Sequence, residues 1–374
     1  MVRKLRRRKD NNKRIADKAV RTAKRTLRRR PKNNSIKARV EFLHSGSTTL
    51  NLALSGKGIK GGWARGRVGN IVGDGSSGKT LLALELAFWC WKNIKKVKSD
   101  IFPATKKIRI VYNNCEGVMD FPLEKMYGKK FVENVEWVCE KRIEKMGRDY
   151  ISDLMKMKPG HFLLYIIDSW DAIKSVKDEQ RTAKAIKEDK EEEGSYNLEK
   201  QKYASSFFST ISGLMDNNNI DASLILISQV RTKIGVTFGK KTYRTGGKAL
   251  DFYTHQVAWV REVEKLTTTK RKMSWVYGIK SEVKVERSKV SKPFRASRFT
   301  ILYDYGIDDI DSQIDFLWGS KTIEWDGKNY TKKDFIKYIE GNNLEDELAK
   351  ETERVWNEIE SSFEEDVQKR KSRY

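Results

Sequence analysis

Two rhythms of apolar residues alternate along the chain. Val68, Ile71 and Val72, then IRIVYNN at 108–114, HFLLYIID at 161–168 and ASLILISQ at 222–229 are short, nearly unbroken apolar runs. Such runs predict strands buried on both faces. Between them lie LLALELAFWCW at 81–91, which suits a buried helix, a helical or mixed stretch around Trp137, Cys139 and Ile143, and a helix over 203–215. Strands and helices in alternation predict an α/β fold with a mostly parallel central sheet.

Outside that core the patterns are weaker. Residues 37–56 read as a short strand, a serine-rich cap and a helix starting near Thr48. Residues 173–200 are highly charged, include an acidic block at 188–193 and show no apolar face, which predicts a loop or an exposed helix. Towards the C-terminus Asp326-Gly327 sits between short alternating runs, a hairpin signal, and Leu344, Leu348, Val355, Ile359 and Val367 follow on one helix. At the other end residues 1–13 are almost all polar. From Arg14 the spacing of Ile15, Ala19, Ala23 and Leu27 gives a thin helical stripe that Pro31 ends. So narrow a stripe needs a surface to dock on: the body of the chain, another subunit or DNA.

The first strand and helix enclose GDGSSGKT at residues 73–80. Strand, glycine loop and helix form the context that makes this spacing a phosphate-binding loop. Gly73, Asp74, Gly75, Ser76, Ser77 and Gly78 would turn backbone N–H groups toward phosphate oxygens. The positive end of the helix adds to them. Lys79 would reach the β- and γ-phosphates and Thr80 would ligate Mg²⁺. Asp168, closing its strand beside this loop, has the position of a second Mg²⁺ ligand, although Asp is also an ordinary strand-ending residue. Ligands of such sheets bind off the strands' carboxyl ends. Residues 73–80, Glu116, Asp168 and Gln229 all fall at such ends, so four segments converge on one site.

Charge changes the picture at one end only. The chain of 374 residues has 76 Lys and Arg against 51 Asp and Glu, a net +25. Residues 1–39 alone hold 18 basic and 2 acidic side chains, hence +16, leaving +9 for the other 335 residues. A basic arm on a moderately basic body points to a polyanion, nucleic acid first and an anionic membrane surface second. Three separated cysteines without a CxxC argue against a disulfide framework or structural zinc and for a reducing, cytoplasmic setting. No apolar run has the length of a membrane span. The arm lacks the apolar core of a signal peptide, while its Arg-rich composition leaves a transit peptide or nuclear signal open.

After Gln229 the chain reads VRTKIGVTFGKKTYRTGGKALDFYTHQVAWVRE. Together with GDGSSGKT, IIDSWDAI and LISQ, this closely resembles the bacterial RecA recombinase family, from about Val40 to about Leu317 and more weakly beyond. The most specific blocks are QVRTKIGVTFG and TGGKALDFY. The lysine- and asparagine-rich composition and the arm suggest a phage- or plasmid-encoded version.

Charge and pattern set off an arm at 1–39; the resemblance implies an ATPase core at 40–317 with DNA loops at about 173–200 and 230–247, and a small α+β domain at 318–374. It implies ATP and Mg²⁺ as ligands, single- and double-stranded DNA as partners, and a helical homo-oligomeric filament in a bacterial or phage-infected cell. Glu116 would polarise the attacking water and Gln229 would sense the γ-phosphate. Asp120 and Tyr303 would lie on the ribose and adenine side. Arg231 and Lys233 would contact DNA phosphates and Ile234 would wedge between bases. Gly235, Lys240, Lys241 and Arg244 complete that loop, and the Gly246-Gly247 backbone would approach the strand. Tyr196 falls near the first loop's inserting side chain. Arg287 and Lys289 would reach a neighbour's γ-phosphate, and Phe252 falls on an interface aromatic. Read from the residues alone, Val283, Val285 and Arg287 share one side of an alternating strand.

The sequence also departs from the family. Gly75 replaces an acidic residue, Leu123 an adenine-stacking aromatic and Asp251 an interface lysine. Thr242 and Arg244 make the second loop more basic and remove its glutamate. The first loop is longer and acidic, and the C-terminus ends basic. A structural, packaging-associated DNA-binding protein on the same fold is the second reading. A helicase or clock-type ATPase is the third.

Overall fold

The computed structural model describes residues 40–117, 119, 121–188, 198–216, 220–232, 242–244 and 247–366. Two short strands, β1 (Phe42–Leu43) and β2 (Trp63–Ala64), pair antiparallel ahead of the main sheet. That sheet comprises β3 (Val68–Gly73), β4 (Lys107–Asn114), β5 (Val135–Val138), β6 (His161–Asp168), β7 (Asp221–Thr232), β8 (Thr242–Arg244), β9 (Gln256–Lys270), β10 (Met273–Ser288), β11 (Ala296–Leu302) and β12 (Gly306–Asp308). Its order is β12-β11-β10-β9-β3-β7-β6-β4-β5, with β8 paired to β7 off that path. From β9 to β5 neighbouring strands are parallel; from β9 to β12 they are antiparallel. The architecture is therefore α/β with a mixed sheet whose centre is parallel.

Helices cover both faces, which is why the central strands are apolar on every residue rather than on alternate ones. Helix Lys79–Asn93 packs on one face with Ile71, Ile225, Ile227, Val283 and Phe299. Helices Ile143–Lys156 and Leu198–Met215 pack on the other with Leu163, Ile167, Leu224 and Leu226. Leu81, Leu82, Leu84 and Leu86 are each 4% exposed or less. At roughly 2 kcal/mol apiece, their burial exceeds the few tenths that helix propensity contributes, so packing fixes this helix behind the loop.

Register then sets the site. Gly73 pairs with Gln229 and Asn114 with Asp168, while Ile167 pairs with Leu226, so Gly73, Gln229, Asp168 and Asn114 lie within about two residues of one level on four adjacent parallel strands. At the opposite edge Arg65 and Asp221 form a buried ion pair that Thr105 joins at 3.1 Å.

Several local expectations are met. Ser47 caps helix Thr48–Ser55 by accepting from the Leu50 N–H. Asp326 and Gly327 adopt φ of 50° and 71° between β13 (Ile323–Trp325) and β14 (Lys328–Tyr330), the left-handed pair of a tight hairpin. Residues 176–188 form an exposed helix with no buried residue. The helix expected over 203–215 starts earlier, at Leu198.

One expectation fails. Val285 pairs with Ala258 and Arg287 with Val257, which leaves Glu286 as an extra residue. Because Ala258 and Val257 are consecutive, Val285 and Arg287 point to opposite faces, not to one. The C-terminal helices form a small core of Ile314, Ile323, Phe335, Ile339 and Leu348. Helix Glu345–Asp366 is tied back to the sheet by the Arg295–Glu360 ion pair and by the Ile59 N–H on Glu353 (3.4 Å).

Candidate functional site

The loop after β3 is built by close contacts that exclude side chains at two glycines. A Cβ on Gly73 would come within 2.4 Å of the Val260 carbonyl oxygen, and Gly78, at φ +93°, would meet Ile301 Cδ1 at 2.4 Å. Gly75 has nothing within 4 Å of a built Cβ, so its lack of a side chain is not imposed by space. Ser77 Oγ donates to the Asp74 carbonyl at 2.8 Å, and Ser281 Oγ anchors the loop from β10 through the Ser77 carbonyl at 3.0 Å. Lys79 Nζ also donates to the Asp74 carbonyl, curling over the concavity the loop encloses. Burial holds this ammonium below the usual lysine range, against the opposing pull of Asp168, Glu116, Asp74 and Asp171.

Asp168 Oδ2 accepts from Thr80 Oγ1 at 2.8 Å and from Tyr112 Oη at 2.7 Å. Burial raises the Asp168 carboxyl above its ordinary value, and these two donors work the other way. A hydroxyl and a carboxylate side by side at a phosphate loop fit Mg²⁺, which takes few protein ligands and completes its shell with water and phosphate oxygens. No cluster of three or more His, Cys, Asp or Glu able to hold a metal occurs among the described residues, so the fit is to a phosphate-assisted ion and not to an all-protein cage.

Glu116 lies one strand-end away. Its Oε1 accepts from Ser169 Oγ at 2.7 Å and from Gln229 Nε2 at 3.0 Å. The Gln229 backbone N–H in turn donates to Asp171 Oδ2 at 2.8 Å. Lys200, 6% exposed, donates to the Trp170 carbonyl and stands 5.3 Å over that indole. Burial lowers Lys200 to about 8. Tyr112, Ser169, Asp171 and Lys200 are the members that sequence reasoning did not single out. Ser169 and Asp171 had a signal in the IIDSWDAI block. Tyr112 and Lys200 had none, since a strand tyrosine and a lysine in a charged segment look ordinary until neighbouring elements are packed on them.

Beyond Gln229, β7 continues through Thr232 and pairs with β8: Val230 with Arg244, Arg231 with Tyr243, Thr232 with Thr242. Arg231 is exposed at this base. Arg244 departs from the expected DNA contact. Its guanidinium is folded inward, donating to Asn70 Oδ1 in β3 and to Asp251 Oδ1 (2.6 Å), with its side chain 8% exposed. Burial lowers the Arg244 value, and Asp251 is what offsets the loss of water. The acidic Asp251 thus serves Arg244 in its own chain. Gly247 begins helix Gly247–Tyr253. Tyr196, Lys233, Ile234, Gly235, Lys240, Lys241, Gly246 and, on the nucleotide side, Asp120 lie outside the described residues, as does the arm at 1–39.

Arg287 pairs at the level of Val257, which in turn pairs with Asn70, three residues back from the loop. The Lys289 N–H donates to the His255 carbonyl at 2.8 Å, a level before the start of the β3–β9 pairing. Lys289 Nζ donates to the Phe252 carbonyl and sits 5.4 Å over that ring. At about 3.3 Å per residue, the Lys289 backbone lies more than about 13 Å behind its own phosphate loop, beyond the reach of its side chain. Phe252 is 66% and Tyr303 52% exposed.

With this geometry in view, the likenesses to known proteins are consistent along the chain. The family model for the RecA N-terminal domain matches residues 173–308. Protein RecA of Acinetobacter baylyi is 26% identical over 320 residues, 83% of this chain and 81% of that protein. Protein RecA of Rippkaea orientalis is 27% identical over 321 residues, 83% and 81% of the two chains. That of Gloeothece citriformis is 28% identical over 319 residues, 83% and 79%.

Proposed function

We propose that this chain, which is similar to RecA proteins over about four fifths of its length, is a RecA-type DNA-dependent ATPase that assembles on single-stranded DNA and catalyses homologous pairing and strand exchange. The observation that carries this reading is the hydrogen-bonded line from Glu116 through Gln229 into β7, whose next residue but one is the exposed Arg231.

In this reading the loop N–H groups and Lys79 grip the β- and γ-phosphates of ATP. Thr80 and Asp168 would hold Mg²⁺, whose charge, when bound, offsets that of the transferring phosphoryl group. Glu116 takes the proton of the attacking water, a general-base role worth about 10²- to 10⁴-fold. Ser169 and Gln229 orient the Glu116 carboxylate. A γ-phosphate that draws the Gln229 amide toward itself shifts the end of β7, and with it the base of the second loop, where Arg231 meets DNA. Arg287 and Lys289 stand behind their own loop along the sheet and serve the nucleotide of an adjacent copy, which makes a filament a requirement of the chemistry. Base pairing supplies sequence specificity while the protein grips backbone, so binding is salt-dependent. The setting is the DNA of a bacterial or phage-infected cell.

The test is ATP turnover with and without single-stranded DNA, alongside strand exchange by the parent protein and by Lys79→Ala. Stimulation by DNA and loss of both activities in the variant are expected. Strand exchange that survives Lys79→Ala overturns the proposal. Tight duplex coating without stimulation favours a structural DNA-binding role instead.

A further inference from the structure

The β9–β10 hairpin is longer than the sheet needs. β11 pairs with β10 only over residues 278–284, so from Leu266 and Gly278 outward just two strands remain. β9 reaches Lys270, ten residues past the Val260–Gly73 pairing, or about 33 Å beyond the phosphate-loop edge. Residues 267–275 are exposed on both faces. A lone two-stranded hairpin of this kind is marginal in water.

Its chemistry is one-sided. By register Met273 faces with Lys270 and Trp275 with Thr268, so Trp275, Met273 and Lys270 share a face. Met273 is 71% and Trp275 68% exposed, and Tyr277 follows at a bulge, 43% exposed. Residues 265–277 contain four basic and no acidic side chains. None of Lys270, Arg271 and Lys272 makes an ion pair with another described residue. The turn is Arg271-Lys272, at φ of 49° and 66°. Asn-Gly would adopt that left-handed pair with less strain, and here two cations occupy it instead.

Exposed rings beside unpaired cations match the faces of unstacked bases and the phosphates that join them. An acidic protein partner would use the cations and leave the indole unexplained. The hairpin also rises from the same edge as the second loop, with only β3 between β9 and β7.

We propose that the tip of this hairpin, residues 265–277, is a separate binding element for single-stranded DNA, with bases stacked on Trp275 and Met273 and phosphates held by Lys270, Arg271 and Lys272. This rests on the reading of the protein as one that works on DNA. It adds a contact remote from the loop at 230–247.

Binding of a fluorescent oligothymidine across a salt series tests it, with the full chain, Trp275→Ala, Trp275→Phe and the triple variant Lys270→Ala, Arg271→Ala, Lys272→Ala. Trp275→Ala should weaken binding about 5- to 100-fold, with Trp275→Phe restoring much of it. The triple variant should flatten the salt slope by about 2. DNA-free ATP turnover and melting temperature should stay at the parent values. Photocrosslinking with a bromodeoxyuridine oligonucleotide should recover the peptide that contains Trp275. Unchanged affinity and slope, with crosslinks confined to residues 230–247, overturn this proposal and leave the recombinase reading standing. Variants that alter self-association but not DNA binding assign the tip to a contact between copies and overturn it too. Absence of oligothymidine binding by the parent protein overturns both readings together.

Discussion

Gln229 Nε2 donates to Glu116 Oε1 at 3.0 Å, linking the strand that carries Arg231 to the carboxylate proposed as general base. The Glu116→Gln variant should keep ATP binding and lose about 10²- to 10⁴-fold in turnover. Gln229→Ala should keep DNA-free turnover within a few-fold and lose stimulation by DNA. Stimulation that persists in Gln229→Ala would show that the signal travels another way.

Arg287 and Lys289 stand far behind their own loop. Arg287→Ala and Lys79→Ala should each be inactive alone. Mixed in equal amounts they should recover activity at the roughly one quarter of interfaces that join an intact loop to an intact Arg287. Turnover assays on the mixture decide this, and no recovery means the site is complete within one chain.

Tyr112 Oη holds Asp168 Oδ2 at 2.7 Å. Tyr112→Phe should raise the Mg²⁺ concentration for half-maximal turnover about tenfold, the usual effect of losing an outer partner of a metal ligand. Chelation should abolish turnover in both proteins. Burial raises the Asp168 carboxyl and the Tyr112 bond opposes that rise. Without the bond Asp168 protonates at higher pH, so Mg²⁺ affinity should fail earlier on acidification in Tyr112→Phe. Identical Mg²⁺ titrations at each pH would remove Tyr112 from the site.

Gly78→Ala forces a side chain into φ +93° and onto Ile301, and should destabilise by about 1–3 kcal/mol. Gly75→Ala meets nothing within 4 Å and should stay within about 0.5 kcal/mol. Thermal melting of both checks the contrast.

Burial lowers the Lys200 ammonium in the folded chain to about 8, from an ordinary lysine value of 10.5. Between those values the unfolded chain binds more protons, so Lys200 makes stability rise with pH across that window. Below it the buried charge costs on the order of 3 kcal/mol, partly offset by about 1 for the bond to Trp170. Lys200→Met should therefore be more stable than the parent at pH 7, and the gap should close between about pH 8 and 10.5. A stability difference independent of pH would contradict this.

The α/β class, the strand ends and the loop at 73–80 were legible along the chain because each is written locally. A buried parallel strand needs consecutive apolar residues, and a phosphate loop needs glycines where a Cβ would strike Val260 or Ile301. The arrangement of Glu116, Asp168 and Gln229 followed from the rule that they end parallel strands. What the chain's linear order did not carry was pairing between distant elements. Tyr112 on Asp168, Asp251 on Arg244 and the bulge that turns Arg287 away from Val285 each depend on register or packing between segments far apart in sequence. The hairpin's reach likewise emerges only where β11 stops and leaves β9 and β10 to continue alone. Local residues chose the elements and their chemistry; the alignment of one strand against the next chose which side chains meet.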